Sequence, residues 1–313
     1  VKIVVTGGAG FIGSNLAREL LTRPGVSHVV AFDNLSTGSR ANLDGVGADL
    51  MVETVLDPDA LDRAFDGAKA VVHLAALPSV PRSVLDPVAS HHANATGTLE
   101  VLQAARRAGN IPVVVASSSS VYGANRELPK RESMRTAPIS PYAVSKQATE
   151  AYALSFGHTY GLSTLAFRFF NVYGPLQPAG HVYAAVMPAF VDAALRGVPL
   201  TVHGDGEQTR DFTYVGTVSR VLADAAIRGV HDLDPVNLAF GSRTSLNSLI
   251  GLIGDALGIE LQVTHTDPRA GDVRDSQADN SRLRALFPDV EPVPLEEGVR
   301  ATVDWFRTLP HYR

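Results

Sequence analysis

VKIVVTGGAGFIGSNLARELL, residues 1–21, runs from a β-branched apolar segment through spaced glycines into an amphipathic stretch. Gly7, Gly10 and Gly13 fall directly after the predicted strand, where a helix begins. Glycines at such a junction let the backbone approach a pyrophosphate and leave the helix N-terminus facing its charge. The spacing is G-x-x-G-x-x-G rather than the commoner G-x-G-x-x-G, so alone it is a weak signal, and a bare strand–helix turn has the same composition. The surrounding sequence has to decide.

That surrounding sequence repeats the alternation. The short runs KIVVTG (2–7), HVVAFD (28–33), AVVHLAA (70–76), PVVVASS (112–118) and STLAFRFFN (163–171) are separated by the helix-like SNLARELL (14–21), PDALDRAF (58–65), TGTLEVLQAARR (96–107) and YAVSKQATEAYALSF (142–156). Near-continuous apolar strands between amphipathic helices predict an α/β fold, a doubly wound parallel sheet of Rossmann type covered on both faces. After about residue 175 the pattern turns irregular, with prolines at 175, 178, 188 and 199 and a helix predicted over AAVMPAFVDAALRG (184–197). The expected organisation is a dinucleotide-binding domain over 1–175 and a smaller C-terminal α/β substrate-binding lobe, mainly 176–313. A return to the main sheet is expected within about 211–240, where PVNLAF (235–240) reads as a strand. The second strand ends in FDN, and an acid there accepts hydrogen bonds from both hydroxyls of an adenosine ribose. Asp33 therefore points to NAD and away from NADP, whose 2′-phosphate it would repel.

Bulk composition narrows the function classes. With 313 residues the chain can bury a substantial core, and 45% apolar against 19% charged residues describes a soluble globular protein. A formal charge of −5 gives no electrostatic case for nucleic acid or an anionic membrane as partner. The absence of cysteine excludes a disulfide framework, a thiolate metal site and a cysteine nucleophile, and fits a cytoplasmic location. No apolar run approaches the ~18 residues of a membrane span, and no targeting segment is read at the start. His91 and His92 stand together without a ligand-like spacing or nearby acids, and read as surface or packing residues rather than metal ligands. His73 reads as packing near the cofactor, and Trp305 and Phe306 as core of the second lobe. No G-x-S-x-G surrounds any serine, which rejects a serine hydrolase.

SPYAVSK (140–146) places Tyr142 and Lys146 four apart on one helical face, with Ser140 as N-cap and Pro141 in the first helical position. An ammonium fixed near a phenol favours the phenolate and lowers a pKa that starts near ~10. A tyrosine so placed can serve as a base near neutral pH. Tyr-x-x-x-Lys occurs by chance on many helices; combined with a dinucleotide turn and the hydroxyl run ASSSSVYG (116–123) after another strand, it becomes specific.

TGGAGFIG, FDNLSTG, HLAA, SSSSVYG, YAVSK, RFFNVYGP, GDGEQTRDF and RAGDVRDS follow one another in the order found in extended short-chain dehydrogenases/reductases acting on nucleotide sugars. Over residues 2–305 the chain resembles UDP-hexose 4-epimerases, most closely those using N-acetylated UDP-hexosamines. The resemblance implies a tightly held NAD, a UDP-sugar substrate and a homodimer paired through helices like 96–107 and 142–156. It also implies catalysis by Ser118, Tyr142 and Lys146. For the cofactor it implies Gly7, Gly10, Phe11, Ile12, Gly13, Asp33, Asn34, Thr37, Gly38, Thr54, Val55, Leu74, Ala75, Ala76, Asn94, Ser117 and Phe169, together with Tyr142 and Lys146. Thr54 and Val55 replace an Asp-Ile pair that relatives often place near the adenine. For the substrate it implies Ser79, Ser118, Ser120, Tyr142, Asn171, Gln177, Ala185 and Val186, and Thr201, Val202 and His203 near the base. Arg210 and Arg269 would grip the diphosphate, where a guanidinium fork suits phosphate geometry; Asp272 would meet the ribose, and Ser276 completes the set.

Related chemistries diverge at a few positions. Dehydratases resemble T-D-E-V-Y-G at the serine run, and glucuronate decarboxylases carry a Glu two before the tyrosine; this chain has Ser119 and Ser120 there. Elimination needs an acid and a base flanking the reacting carbons, so the serines favour epimerisation. Glucuronate 4-epimerases tend to have FFTVYG where this chain has FFNVYG, which disfavours an acidic sugar. Four after Asp272, relatives with a Tyr fill the space an N-acetyl group needs; Ser276, with Ala185, Gln177 and the PSVPRS loop (78–83), leaves it open. The expected reaction is 4-epimerisation of UDP-GlcNAc and UDP-GalNAc, extending to UDP-Glc and UDP-Gal. The competing readings are an epimerase of dTDP-, GDP- or glucuronate-type sugars, a dehydratase, and a non-catalytic NAD-binding regulator, which the intact Ser118, Tyr142 and Lys146 disfavour.

Overall fold

The computed structural model describes residues 1–179, 185–267 and 274–312. The apolar runs form β1 (Lys2–Thr6), β2 (His28–Phe32), β3 (Asp49–Met51), β4 (Ala68–His73), β5 (Val113–Ser118) and β6 (Thr164–Phe169). With the strand Val236–Leu238 they make a seven-stranded sheet in the order β3-β2-β1-β4-β5-β6-(Val236–Leu238), every pair parallel. This is the doubly wound sheet expected from the sequence. Ile3 and Val5 of β1 face one core and Val4 the opposite one, so the strand is apolar throughout.

On the first face pack α1 (Phe11–Leu21) and the helix Val215–Arg228, through Leu16, Leu20, Val218 and Leu222. On the second pack α2 (Pro58–Phe65) and the helices Gly97–Arg107 and Pro141–Tyr160, through Leu61, Phe65, Leu102 and Phe156. Local sequence fixes where these helices start. Asp57 accepts the N–H groups of Asp59 and Ala60 ahead of α2, and Ser140 Oγ accepts that of Ala143 at 3.1 Å, each with proline at the first helical position. The long helix stops at Gly161, which has φ 65°.

A third core lies in the C-terminal part. It gathers Phe190 and Val191 of the helix Val186–Leu195, Leu249 and Ile253 of Leu246–Leu257, and Val299, Val303 and Phe306 of Leu295–Thr308 against the parallel pair Leu200–His203 and Val263–Thr266. Phe306 is buried there, with Trp305 packed against the cluster.

Three local details differ from the sequence reading. β3 was not foreseen: it has three residues at the sheet edge, too few for a periodic signal. The strand expected over 163–171 breaks at Phe170, and Asn171–Tyr173 pairs instead with Phe212–Tyr214. The helix expected over 184–197 spans Val186–Leu195. No helix among the described residues is long and apolar enough to cross a membrane.

Candidate active site

Strand order reverses between β1 and β4, and in an open parallel sheet the crevice beyond the carboxyl ends at that point is the natural ligand site. A cavity of about 600 Å³ lies there, lined by the glycine turn, the ends of β2 and β4, and Ser117, Ser118, Tyr142 and Lys146. Gly7 sits at φ 70°, and a Cβ on it would lie 2.8 Å from Ala75 N; one on Gly13 would lie 2.1 Å from Gly7 O. Both positions therefore exclude any side chain, and α1 closes directly onto the turn. Gly10 caps α1 without a side-chain hydrogen bond, and Phe11, Ile12 and Gly13 of its first turn line the cavity. Each Asp33 oxygen accepts one backbone N–H, from Ala9 at 3.0 Å and Leu35 at 2.7 Å. The carboxylate is thus fixed in orientation with lone pairs left for a further donor.

At the other end of the cavity, Ser118 Oγ accepts from Ser120 Oγ at 2.9 Å and from Ser120 N–H at 3.2 Å, and bonds the Tyr142 phenol. Lys146 lies one helical turn beyond Tyr142 and is buried. Burial pulls its ammonium down to about 8. Burial likewise pushes the Tyr142 phenol above its ordinary range, the Ser118 hydrogen bond acting in the opposite direction. This differs from the expectation that Lys146 lowers the phenol's pKa: burial sets the direction, and the interaction that opposes it is the Ser118 hydrogen bond.

Beneath this pair runs a buried polar chain. Thr6 Oγ1 meets His73 Nδ1 at 2.7 Å, and His73 Nε2 meets Thr98 Oγ1 at 3.0 Å. Thr98 in turn reaches Asn94 O at 2.6 Å and Thr149 Oγ1 at 3.0 Å. Burial first, then the charge of Lys146, holds His73 down to about 3, so it is neutral and structural. Asn94 belongs to the π-helical segment His92–Thr96, and such a bulge often marks a functional site.

Most cofactor positions read from the sequence line the cavity, from Gly7 through Asn34, Thr37, Thr54, Val55, Leu74, Ala75 and Ala76 to Phe169. Gly38 instead backs onto Ala9 and Asp33, and Asn94 holds Leu77 by its backbone N–H and carbonyl. Of the substrate positions, Ser118, Tyr142 and Gln177 line the cavity. Ser79 caps the helix Val80–Leu85, and Ser120 reaches Ser118. Asn171 donates its N–H and Nδ2 to Asp211 O, and Arg210 Nη1 donates to the carbonyls of Thr209 and Arg274. Ala185 is exposed before the helix that Val186 begins. Thr201 and His203 flank Val202, whose side chain is spent in the core and which can offer only backbone to a ligand. Ser276 N–H donates to Thr209 O at 3.1 Å. Arg269 and Asp272 lie outside the described residues.

The cavity also reaches Pro78, in the PSVPRS loop the sequence pointed to, and Phe32, Ser36, Glu53, Leu56, Leu77, Ala89, His92, Ala93, Ala116, Phe170 and Val172, which sequence reasoning did not place in the site. Most adjoin residues it found. His92 is exposed, in line with its reading as a surface residue, and also forms part of the cavity wall on a π-helical turn for which the sequence has no motif.

A model of the NAD dependent epimerase/dehydratase family matches residues 3–234. The chain belongs to that family. The UDP-glucose 4-epimerase of Mycolicibacterium smegmatis is 37% identical over 318 residues, spanning 98% of this chain and 99% of that protein. The UDP-N-acetylglucosamine 4-epimerase from Methanobrevibacter ruminantium M1, solved with UDP-N-acetylmuramic acid, superposes with a TM-score of 0.92 at 38% identity, covering 98% of each chain. A dTDP-glucose 4,6-dehydratase from Streptomyces venezuelae, solved with NAD bound, gives 0.90 at 31% identity over 100% of this chain and 98% of its own. The chain is thus an NAD-dependent enzyme of the epimerase/dehydratase family, and its own residues fit that cofactor. The side-chain-free glycine turn leaves room for a pyrophosphate, which the open first turn of α1 would face, and oriented Asp33 suits a ribose diol. Among the described residues no group of three His, Asp or Glu side chains could hold a metal ion.

Proposed function

We propose that this enzyme inverts C4 of a UDP-hexose, with UDP-GlcNAc and UDP-GalNAc as its preferred pair and UDP-Glc and UDP-Gal as further substrates. The observation that carries epimerisation over dehydration is the distribution of acids. Among the described residues the carboxylates lining the cavity are Asp33, just after β2, and Glu53, just after β3, whereas the side chains of the 118–120 turn beside Tyr142 are hydroxyls. Elimination of a sugar hydroxyl needs a proton donor and a base on neighbouring carbons.

In the proposed reaction Tyr142 takes the proton of the 4-hydroxyl, while Ser118 Oγ hydrogen-bonds the same oxygen as it becomes a carbonyl. NAD, when bound, supplies the acceptor for the C4 hydride and returns it. Lys146 steadies the phenolate from the same helix. Reprotonation from Tyr142 after the 4-keto sugar has turned its other face completes inversion, with no net oxidation.

Gln177 supports an amide-bearing sugar. It is nine-tenths buried, its Nε2 donates to Val172 O at 3.1 Å, and its Oε1 has no partner among the described residues. An acceptor on the cavity wall suits a hydroxyl or acetamido N–H. Ser276, half-buried beside Thr209, leaves the bulk at that position small. Residues 1–175 with the strand Val236–Leu238 act in this reading as the cofactor unit, and the later residues chiefly as the nucleotide-sugar unit. Exposed Val84, Leu85, Val88, Val144 and Tyr152, on and beside the Pro141–Tyr160 helix, suit pairing of two copies in the cytoplasm, which light scattering in solution tests.

The deciding experiment is NMR of UDP-GlcNAc incubated with the purified protein. UDP-GalNAc is expected without added cofactor; a 4-keto-6-deoxy or 5,6-ene product would refute the reading.

A further inference from the structure

The backbone of Tyr142 is gripped on both sides by one loop. Ser83, fully buried, accepts the Tyr142 N–H on its Oγ at 3.0 Å and donates to Val80 O at 2.7 Å. Tyr142 follows Pro141 in the first turn of its helix, where no helical carbonyl reaches that N–H. Tyr142 O accepts from Ser145 Oγ at 2.8 Å, and Ser145 Oγ accepts from Asn94 Nδ2 at 2.9 Å. The same Asn94 side chain donates to Leu77 O at 3.2 Å and accepts Leu77 N–H at 2.7 Å. The segment 77–83 is therefore pinned to the Tyr142 residue at its end by Ser83 and at its start through Asn94 and Ser145.

Between the pins the loop is strained and faces the site. Ser79 stands at φ 94°, ψ 120°, a conformation costly for a residue with a Cβ, and Leu77 and Pro78 line the cavity. We propose that Ser83 is a positioning residue that couples this loop to the base, so that a sugar seated against 77–79 sets the place of the Tyr142 phenol. This rests on the reading of Tyr142 as the base. A small displacement of a base costs turnover more than binding. Ser83 touches no reacting atom; it acts through the Tyr142 N–H.

The test is Ser83→Ala in the holoenzyme, assayed on UDP-GlcNAc and UDP-glucose. The expected result is a loss of kcat of about 10- to 100-fold with KM within about threefold, and recovery of most of the rate in Ser83→Thr, which keeps the hydroxyl. Amide hydrogen exchange supplies a readout independent of turnover. With UDP-GlcNAc bound, exchange slows together at Tyr142 and across 77–83 in the wild type, whereas in Ser83→Ala the loop slows and Tyr142 does not. If Ser83→Ala fails to fold, Ser145→Ala removes the other pin and must give the same split between kcat and KM. Unchanged kcat, or exchange at Tyr142 that ignores the loop, overturns the proposal. A wild type that turns over neither sugar overturns the reading of Tyr142 instead, and the exchange arm still decides the coupling.

Discussion

Ser117 Oγ donates to Glu150 Oε2 at 2.8 Å inside the protein, while the hydroxyl of its neighbour Ser118 accepts from Ser120 Oγ and bonds the Tyr142 phenol. Successive residues of a strand face opposite sides, so one serine of the run is spent on the fold and the next meets Tyr142, the candidate base. Glu150 is also held by Arg168, Nε to Oε2 at 2.9 Å and Nη2 to Oε1 at 2.6 Å, both side chains almost wholly buried. The Ser117–Glu150–Arg168 cluster thus ties the end of β5 to β6 and to the helix carrying Tyr142 and Lys146.

Breaking a buried pair from one side leaves an uncompensated charge. Arg168→Met is expected to cost about 3–5 kcal/mol in urea unfolding, and Glu150→Gln added to it should recover part of that loss. A change below about 1 kcal/mol for Arg168→Met would show that the pair does not hold these elements together.

Tyr142→Phe removes the candidate base while keeping the ring, and turnover of a UDP-hexose should fall by about 10²- to 10⁴-fold. Ser118→Ala removes a donor to the developing carbonyl, for an expected loss of about 10²- to 10³-fold. Ser120 reaches only the Ser118 hydroxyl in this arrangement, so Ser120→Ala should cost less than Ser118→Ala. Initial rates by NMR, with bound NAD checked by absorbance after release, separate these effects from loss of cofactor. Equal losses at 118 and 120 would reverse the assignment.

Much of this was legible because the chemistry sits at strand ends. Gly7, Asp33, His73 and Ser118 each close or follow an apolar run, and a parallel sheet brings such ends to one edge. Tyr142 and Lys146 were legible because Ser140 and Pro141 fix the helix register. The contact of Ser83, named only as the last residue of the PSVPRS loop, and the placements of His92 and Glu150 were not. Ser83 meets Tyr142 from 59 residues away, His92 reaches the cavity through a π-helical turn, and Glu150 finds Arg168 across two elements. Nothing in local periodicity encodes such tertiary encounters. The direction of the Tyr142 shift was missed for a related reason: the spacing shows the nearby ammonium and conceals the depth of burial.

His73 makes stability depend on pH. Its folded-state pKa is depressed from 6.5 to about 3, so the unfolded chain takes up a proton first as pH falls. The contribution is complete above 6.5 and is lost progressively toward 3. By pH 5 this group alone should remove about 2 kcal/mol relative to pH 7.5. His73→Gln, which can still meet Thr6 or Thr98 but cannot titrate, should lose about that much less over the same interval. Parallel urea midpoints for the two proteins would show that His73 is not the group responsible.

Ser276 offers the sharpest test of sugar preference. Its N–H is tied to Thr209 O at 3.1 Å, and Thr209 Oγ1 also holds Asp275, so the backbone here is fixed and a larger side chain has to project from a set position. If the position faces C2 of the hexose, a phenol ring takes the room of the acetamido group but leaves a plain hydroxyl accommodated. Ser276→Tyr should therefore lower kcat/KM for UDP-GlcNAc about 100-fold while leaving UDP-glucose within about threefold, the discrimination that a steric pocket can deliver. Competition assays with both sugars in one tube read this ratio directly. An equal loss on both substrates would indicate damage to the fold around Thr209 rather than a gate, and no loss on either would remove Ser276 from the sugar site.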